Sequence, residues 1–197
     1  MVVGATGSTK YALEATSADD LWLVFGLAAH DMQSSDLQAV SLAYYLHIGR
    51  VMIDKWHTRF MEMAKLVSLW SKDPSTKTGG VIVRPDRTIA SVGFNGFPRK
   101  IADALEFLND REEKYKRVIH SEMNAILNAR ERLDGYTLYN WPGQSCSRCA
   151  VHVIQAGISI VVSPELDPND SFMRRWMDDM ILAESLYREA GVTLIHV

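Results

Sequence analysis

Cys146 and Cys149 are the only cysteines in the chain and stand at C-x-x-C spacing in the stretch WPGQSCSRCAVHVIQAG. That spacing serves two chemistries: a redox dithiol, or half of a metal site completed from elsewhere. A structural zinc takes four protein ligands, and a catalytic zinc takes three so that water can fill the fourth position. The metal reading therefore needs an imidazole or carboxylate from another part of the chain. Six histidines are available. His30 and His47 lie near the N-terminus, His57 on a predicted amphipathic helix and His196 in the last predicted strand, and each reads as a surface or packed imidazole. His152, three residues past Cys149, would give a local site on one helix.

His120 differs in its neighbours, VIHSEMNAILNA. His120 and Glu122 are two apart, a spacing that puts side chains on different faces in mid-helix. At a helix start, with Ser121 near the cap, both can point past the helix end into one cavity. Cys146 and Cys149 also open a predicted helix, where backbone N–H groups and the helix dipole favour thiolate over thiol. Glu122 has a plainer reading too, as an acidic residue in a first helical turn.

The elements that must position these groups follow from composition and pattern. The chain has 197 residues, is 47% hydrophobic and 23% charged, and has a formal charge of −3. This is the profile of a globular chain with one well-filled core, and it argues against a bulk nucleic-acid binder. Two close cysteines make no disulfide framework and fit a reducing compartment. The apolar run LWLVFGLAA is too short to span a bilayer, and Asp19 and Asp20 precede it where a secretory signal wants positive charge. The expectation is a cytoplasmic protein with no membrane partner.

Residues 1–51 read as an N-terminal extension, disordered at its start and then forming short helices. Its acids (Glu14, Asp19, Asp20, Asp31, Asp36) outnumber its bases (Lys10, Arg50) and account for the whole net charge. It carries no chemical motif and reads as an appendage or partner-contact surface.

Residues 52–197 read as one domain. Asp54 suits an N-cap, and Trp56, Phe60, Met63, Ala64, Val67 and Trp70 recur at helical spacing as core residues. GGVIVRPDRTIASVGFNG reads as an antiparallel hairpin around Pro85-Asp86. REEKYKRVIHSEMNAILNARERL reads as helix interrupted near His120, YTLYNW as a strand, and CSRCAVHVIQAG as a helix ending at Gly157. A buried strand (ISIVVSP), a long amphipathic helix (SFMRRWMDDMILAESLYREAG) and a last strand (VTLIHV) follow. Right-handed crossovers through the last two helices make the final three strands parallel. The predicted fold is a three-layer α/β/α domain with a five-stranded mixed sheet.

The His-Ser-Glu and Cys-Ser-Arg-Cys stretches resemble the H-x-E … P-C-x-x-C signature of zinc deaminases. WSKDPSTKTGGVIV, GFNGFP, KYKRVIHSEMNAI and LYNW…CSRCAVHVIQAGI are similar to the deoxycytidylate (dCMP) deaminase branch of the cytidine deaminase superfamily, over residues 52–197. The resemblance implies hydrolytic deamination of dCMP to dUMP and ammonia, in pyrimidine deoxynucleotide metabolism. It implies Zn2+ held by His120, Cys146 and Cys149, with Glu122 carrying protons from water to N3 and to the leaving amine. It further implies the Ser121 N–H on the base oxygen, the Ser145 carbonyl near the amine and Asn95 on the sugar. Ser71 and Lys72, with Lys77 nearby, are the candidates for the 5′-phosphate, and Tyr115 flanks the nucleotide.

Plainer readings stand beside these. Asn95-Gly96 is a common turn pair, single lysines are usually solvated, and Tyr115 fits a packed helix aromatic. Members of that branch are often oligomeric, and some are regulated by dCTP and dTTP with Mg2+. A homo-oligomer, and Mg2+ with nucleotide effectors, are thereby implied. Ser145 stands where the family pattern has proline, which opens the reading to a 5-substituted or otherwise modified cytosine nucleotide.

Three rivals remain. A tRNA or single-stranded DNA deaminase would need a basic channel, whereas charge from Met52 onward is balanced. A thiol oxidoreductase would also place C-x-x-C after a strand, yet usually after the first strand of its fold. A catalytically idle relative, with structural zinc and the extension as its working surface, has no reason to keep Glu122.

Overall fold

The structure, a computed structural model, describes residues 55–165, 167 and 169–197. The extension and the Asp54 cap lie outside the described residues. The elements in chain order are α1 (Lys55–Ser68), β1 (Gly79–Val83), β2 (Ile89–Phe94), α2 (Leu105–Asn109), α3 (Arg111–Arg117), α4 (Ser121–Asn128), β3 (Thr137–Trp141), α5 (Ser147–Gln155), β4 (Ile160–Ser163), α6 (Ser171–Ala190) and β5 (Thr193–His196).

The five strands form one sheet in the order β2-β1-β3-β4-β5. β1 runs antiparallel to both β2 and β3, with Val81 level with Val92 on one side and Tyr139 on the other. β3, β4 and β5 are parallel, as the two helical crossovers require. In the hairpin, Asp86 Oδ1 accepts from the Thr88 N–H and hydroxyl, and Arg87 takes the left-handed conformation at φ 70°.

Alternation along the strands divides the core in two. Val81, Val83, Tyr139 and Val162 face α1 and pack with Phe60, Met61, Ala64 and Val67. Ile82, Leu138 and Val161 face the other way, onto Ala125 of α4, Ala150 and Val153 of α5, and Ala183 and Tyr187 of α6. Helices thus cover both faces of the sheet. Most of the predicted α1 stripe enters the core, but Trp70 does not. It lies past the end of the helix, is 53% exposed, and meets Phe94 edge-on.

The long predicted helix does break near His120. α3 begins on a cap from Asp110, whose carboxylate accepts from the Glu112 and Glu113 amides, and it ends at Arg117. Ile119 then bridges in extended conformation to Gly96, and α4 starts at Ser121. α4 lies unusually close to the sheet because Gly93 carries no side chain. A Cβ there would fall 2.2 Å from the Ala125 nitrogen and 2.4 Å from the Ser121 carbonyl oxygen.

Candidate active site

Two helix starts meet at the end of β3. His120 is the N-cap residue of α4 and Cys146 that of α5, and neither side chain caps its own helix. Both are left free to turn toward each other. His120 Nδ1 lies 3.5 Å from Cys146 Sγ and 3.5 Å from Cys149 Sγ, and the two cysteines are free thiols. Across a tetrahedral zinc with ordinary Zn–S and Zn–N bonds, a sulfur and a nitrogen stand about 3.6 Å apart. The spacing and the soft N/S donor set therefore fit zinc.

Without a metal, the same three groups share protons. The Cys146 partner, outweighing burial, pushes the His120 imidazole up to about 9. A hydrogen bond from the Cys149 thiol, aided by His120, brings Cys146 down to about 4. That same bond, together with burial, drives Cys149 upward. One thiolate, one thiol and one imidazolium make a set in which a divalent cation displaces protons, as metal binding to such ligands requires. The local alternative with His152 does not form. His152 is exposed, and its Nδ1 lies 2.6 Å from the Arg148 carbonyl oxygen. His57 and His196 are packed imidazoles, beside the Tyr139 and Ser163 hydroxyls respectively.

His120, Cys146 and Glu122 line a cavity of about 250 Å³. Glu122 is 4% exposed and hydrogen-bonded at both oxygens: Oε1 accepts from Asn140 Nδ2 at 3.1 Å, and Oε2 accepts from Ser121 Oγ at 3.1 Å. Of the other predicted residues, Asn95 and Tyr115 line the cavity. Asn95 is spent on the neighbouring loop: Oδ1 accepts from the Thr78 amide, and Nδ2 donates to the Thr76 carbonyl. Ser121 and Ser145 are fully buried beside it, with the Ser145 hydroxyl against the buried Tyr187 phenol.

Ser71 and Lys72 are not brought to the cavity. The Ser71 hydroxyl is bonded to the Asn95 carbonyl, and Lys72 points to solvent in a 2.7 Å pair with Asp103. The residues just beyond them, Asp73 and Ser75, do reach it. There the buried Asp73–Lys114 pair closes at 3.0 Å, with Ser75 Oγ 2.6 Å from Lys114 Nζ.

Sequence reasoning missed Lys114, Asn140, Arg111, Arg175 and Trp176. All five line the cavity. Asn140 left one signal, an amide between two aromatic residues in the strand Thr137–Trp141. The others are hidden in charged or amphipathic helices. Arg111 stacks over Tyr115, and Arg175 donates only to the Ser171 carbonyl, so neither guanidinium makes an ion pair among the described residues. Trp176 stands edge-on to His120 with centroids 6.2 Å apart, and packs on Tyr115. Also on α6, Asp179 caps α5 from outside, accepting from the Ser147 amide and hydroxyl at 3.0 and 2.6 Å.

The family model described as the cytidine and deoxycytidylate deaminase zinc-binding region matches residues 54–164. The chain belongs to this family. It is a hydrolytic deaminase. An uncharacterized deaminase in the luxG 3′ region of Aliivibrio fischeri is 43% identical over 143 residues, which is 72% of this chain and 92% of that one. The deoxycytidylate deaminase of Mus musculus is 34% identical over 147 residues, 71% of this chain and 78% of the mouse chain. The dCMP deaminase of the cyanophage S-TIM5, in complex with dCMP and dUMP, shares the fold with TM-score 0.57 at 22% identity. The match covers 74% of this chain and 99% of the phage chain. The matched family region contains both helix starts, while α6, with Arg175, Trp176 and Asp179, follows it. No helix among the described residues is long and apolar enough to cross a membrane.

Proposed function

We propose that this deaminase converts dCMP to dUMP and ammonia, with zinc held by His120, Cys146 and Cys149 and with Glu122 as the proton carrier. The observation that carries the reading is a buried carboxylate in the same cavity as a zinc-spaced His/Cys/Cys set. Zinc bound there supplies the Lewis acidity that makes water a nucleophile near neutral pH. Glu122 receives the first proton of that water and hands it to N3, where it stays. It then takes the proton of the new C4 hydroxyl and gives it to the amine nitrogen as the C4–N bond breaks. One carboxylate serves both transfers because they are sequential. The Ser121 amide and the Ser145 carbonyl are assigned to the pyrimidine edge, and Tyr115 and Trp176 to its flanks. Asn95 holds the loop at the sugar end.

We assign the 5′-phosphate to Arg111 and Arg175 in preference to Ser71 and Lys72. Two cavity-lining guanidiniums without a carboxylate partner suit a small dianion, since a planar fork can bind phosphate oxygens in pairs. Lys72 and Lys114 are already paired to Asp103 and Asp73. The balanced domain charge supports a free nucleotide over a polynucleotide, and the imidazole set between both sulfurs supports a metal over a dithiol. A modified cytosine nucleotide is a second reading, kept because Ser145 stands where the family pattern has proline.

Ammonia release from dCMP, cytidine, dCTP, 5-hydroxymethyl-dCMP and an oligonucleotide separates these readings, with zinc quantified per chain. Glu122→Ala is expected to keep zinc and lose about 10²- to 10⁴-fold in kcat, the usual weight of a positioned acid–base group. Turnover of dCMP at the wild-type rate in that variant, or a zinc-free active enzyme, would overturn the assignment.

A further inference from the structure

We propose that Asn140 is a positioning residue that fixes the Glu122 carboxylate against the cavity, acting through Glu122 and not on the substrate. The inference rests on the reading of Glu122 as the proton carrier. Asn140 is 4% exposed and sits on β3, and its carboxamide has a determined orientation. Nδ2 faces two acceptors, Glu122 Oε1 at 3.1 Å and the Gly143 carbonyl at 2.9 Å, so both of its hydrogens are used. Oδ1 faces a donor, Ser121 Oγ, at 3.2 Å. Exchanging the oxygen and nitrogen would set acceptor against acceptor twice.

The Ser121 hydroxyl has one hydrogen and two acceptors, Glu122 Oε2 and Asn140 Oδ1. The hydroxyl therefore ties the carboxamide and the carboxylate into one hydrogen-bonded group. A neutral amide holds Glu122 there without adding a second charge beside it.

Backbone geometry puts Asn140 there. Gly80 pairs with Asn140 across β1 and β3, and a Cβ on Gly80 would come within 3.3 Å of the Ser121 carbonyl oxygen. The strand thus presents Asn140 level with the first turn of α4. A free glutamate has three rotatable bonds, and fixing such a side chain costs conformational entropy. Here the fold has fixed it at both oxygens before substrate arrives, which is the preorganisation that proton transfer needs.

The test compares full-length, zinc-loaded wild type, Asn140→Ala, Asn140→Asp, Glu122→Gln and the two double variants. The readouts are kcat and KM for dCMP, zinc per chain and thermal midpoint. Each Asn140 variant is expected to lose about 10- to 100-fold in kcat, the scale of a misplaced catalytic group. KM should stay within about 2-fold, because uniform binding is untouched, and zinc content should be unchanged. In the Glu122→Gln background the same substitutions should alter the residual rate by less than about 3-fold, since contacting residues are non-additive.

An equal loss in both backgrounds, or a loss lying in KM or zinc content, would make Asn140 merely structural and sink the proposal. Asn140→Asp, nearly isosteric, decides the matter alone if the alanine variant does not fold. Should Glu122→Gln turn over like wild type, the reading of Glu122 and this proposal fall together. Should Glu122→Gln be inactive while the Asn140 variants keep wild-type kcat, only this proposal falls.

Discussion

Arg111 and Arg175 present the sharpest choice at the level of single residues. Each lines the cavity, and each lacks a carboxylate partner among the described residues. Charge-assisted hydrogen bonds contribute about 1.5–3 kcal/mol, so Arg111→Ala or Arg175→Ala should raise KM for dCMP by about 10- to 100-fold. Deoxycytidine, lacking the phosphate, should show no such change. An equal KM increase for both substrates, measured by ammonia release, would remove the phosphate from these residues. The same scale shows what could be read beforehand. His120, Glu122, Cys146 and Cys149 were legible because each pair is local, and a helix start converts their sequence spacing into a shared direction. Arg111, Arg175 and Trp176 were not, because packing between distant helices brings them to the cavity, and short-range spacing holds no record of that. Ser71 and Lys72 came from the resemblance, and of their loop it is Asp73 and Ser75 that line the cavity, a difference that short-range spacing does not record either.

The elements place these residues through close contacts more than through propensity. α4 can carry Glu122 to the cavity because Gly93 lets the helix backbone rest on β2. Gly93→Ala would force a Cβ into the Ala125 amide, and overpacking of this kind costs about 1–3 kcal/mol. The expected outcome is a lower thermal midpoint together with reduced zinc affinity, because His120 moves with the helix start. A stable variant with unaltered zinc binding would show that α4 is positioned by other contacts. The break before α4 was legible from His120, Ser121 and Glu122 lying at a cap. The end of α1 was less so. Helical spacing carried Trp70 into the core, but the helix stops at Ser68 and the indole meets Phe94 from a half-exposed position. The hairpin too was legible, but not that β3 would pair on the far side of β1, since that neighbour comes from some 60 residues onward.

In the molecule as a whole, acid should loosen the loop between α1 and β1. Burial raises the Asp73 carboxyl, but the Ser75 and Thr76 amides, Lys114 and the Ser75 hydroxyl outweigh it and hold the group below its ordinary 3.8. A carboxyl whose folded value is depressed stabilises the fold fully above its unfolded value, and that contribution disappears as pH falls through the folded value. Stability should therefore drop below about pH 4, given an unfolded aspartate near 3.9. Asp73→Asn strands Lys114 in a buried position, and breaking such a pair costs about 3–5 kcal/mol. Denaturant unfolding at pH 6 and pH 3 should show the variant weaker at the higher pH and closer to wild type at the lower. Parallel losses at both values would exclude Asp73 as the source. The parallel order of the last three strands was legible from alternating strands and helices. The ion pair was not, since Asp73 and Lys114 each look like ordinary surface charges.

Trp176 and Asp179 lie three residues apart, close to one turn of α6. One lines the cavity to which the base is assigned, and the other anchors the segment bearing both sulfurs. Recognition and metal grip are thereby yoked to a single rod. A designer who rotates or slides that rod to admit a bulkier base will loosen the cation in the same movement, unless a new brace for Ser147 is installed.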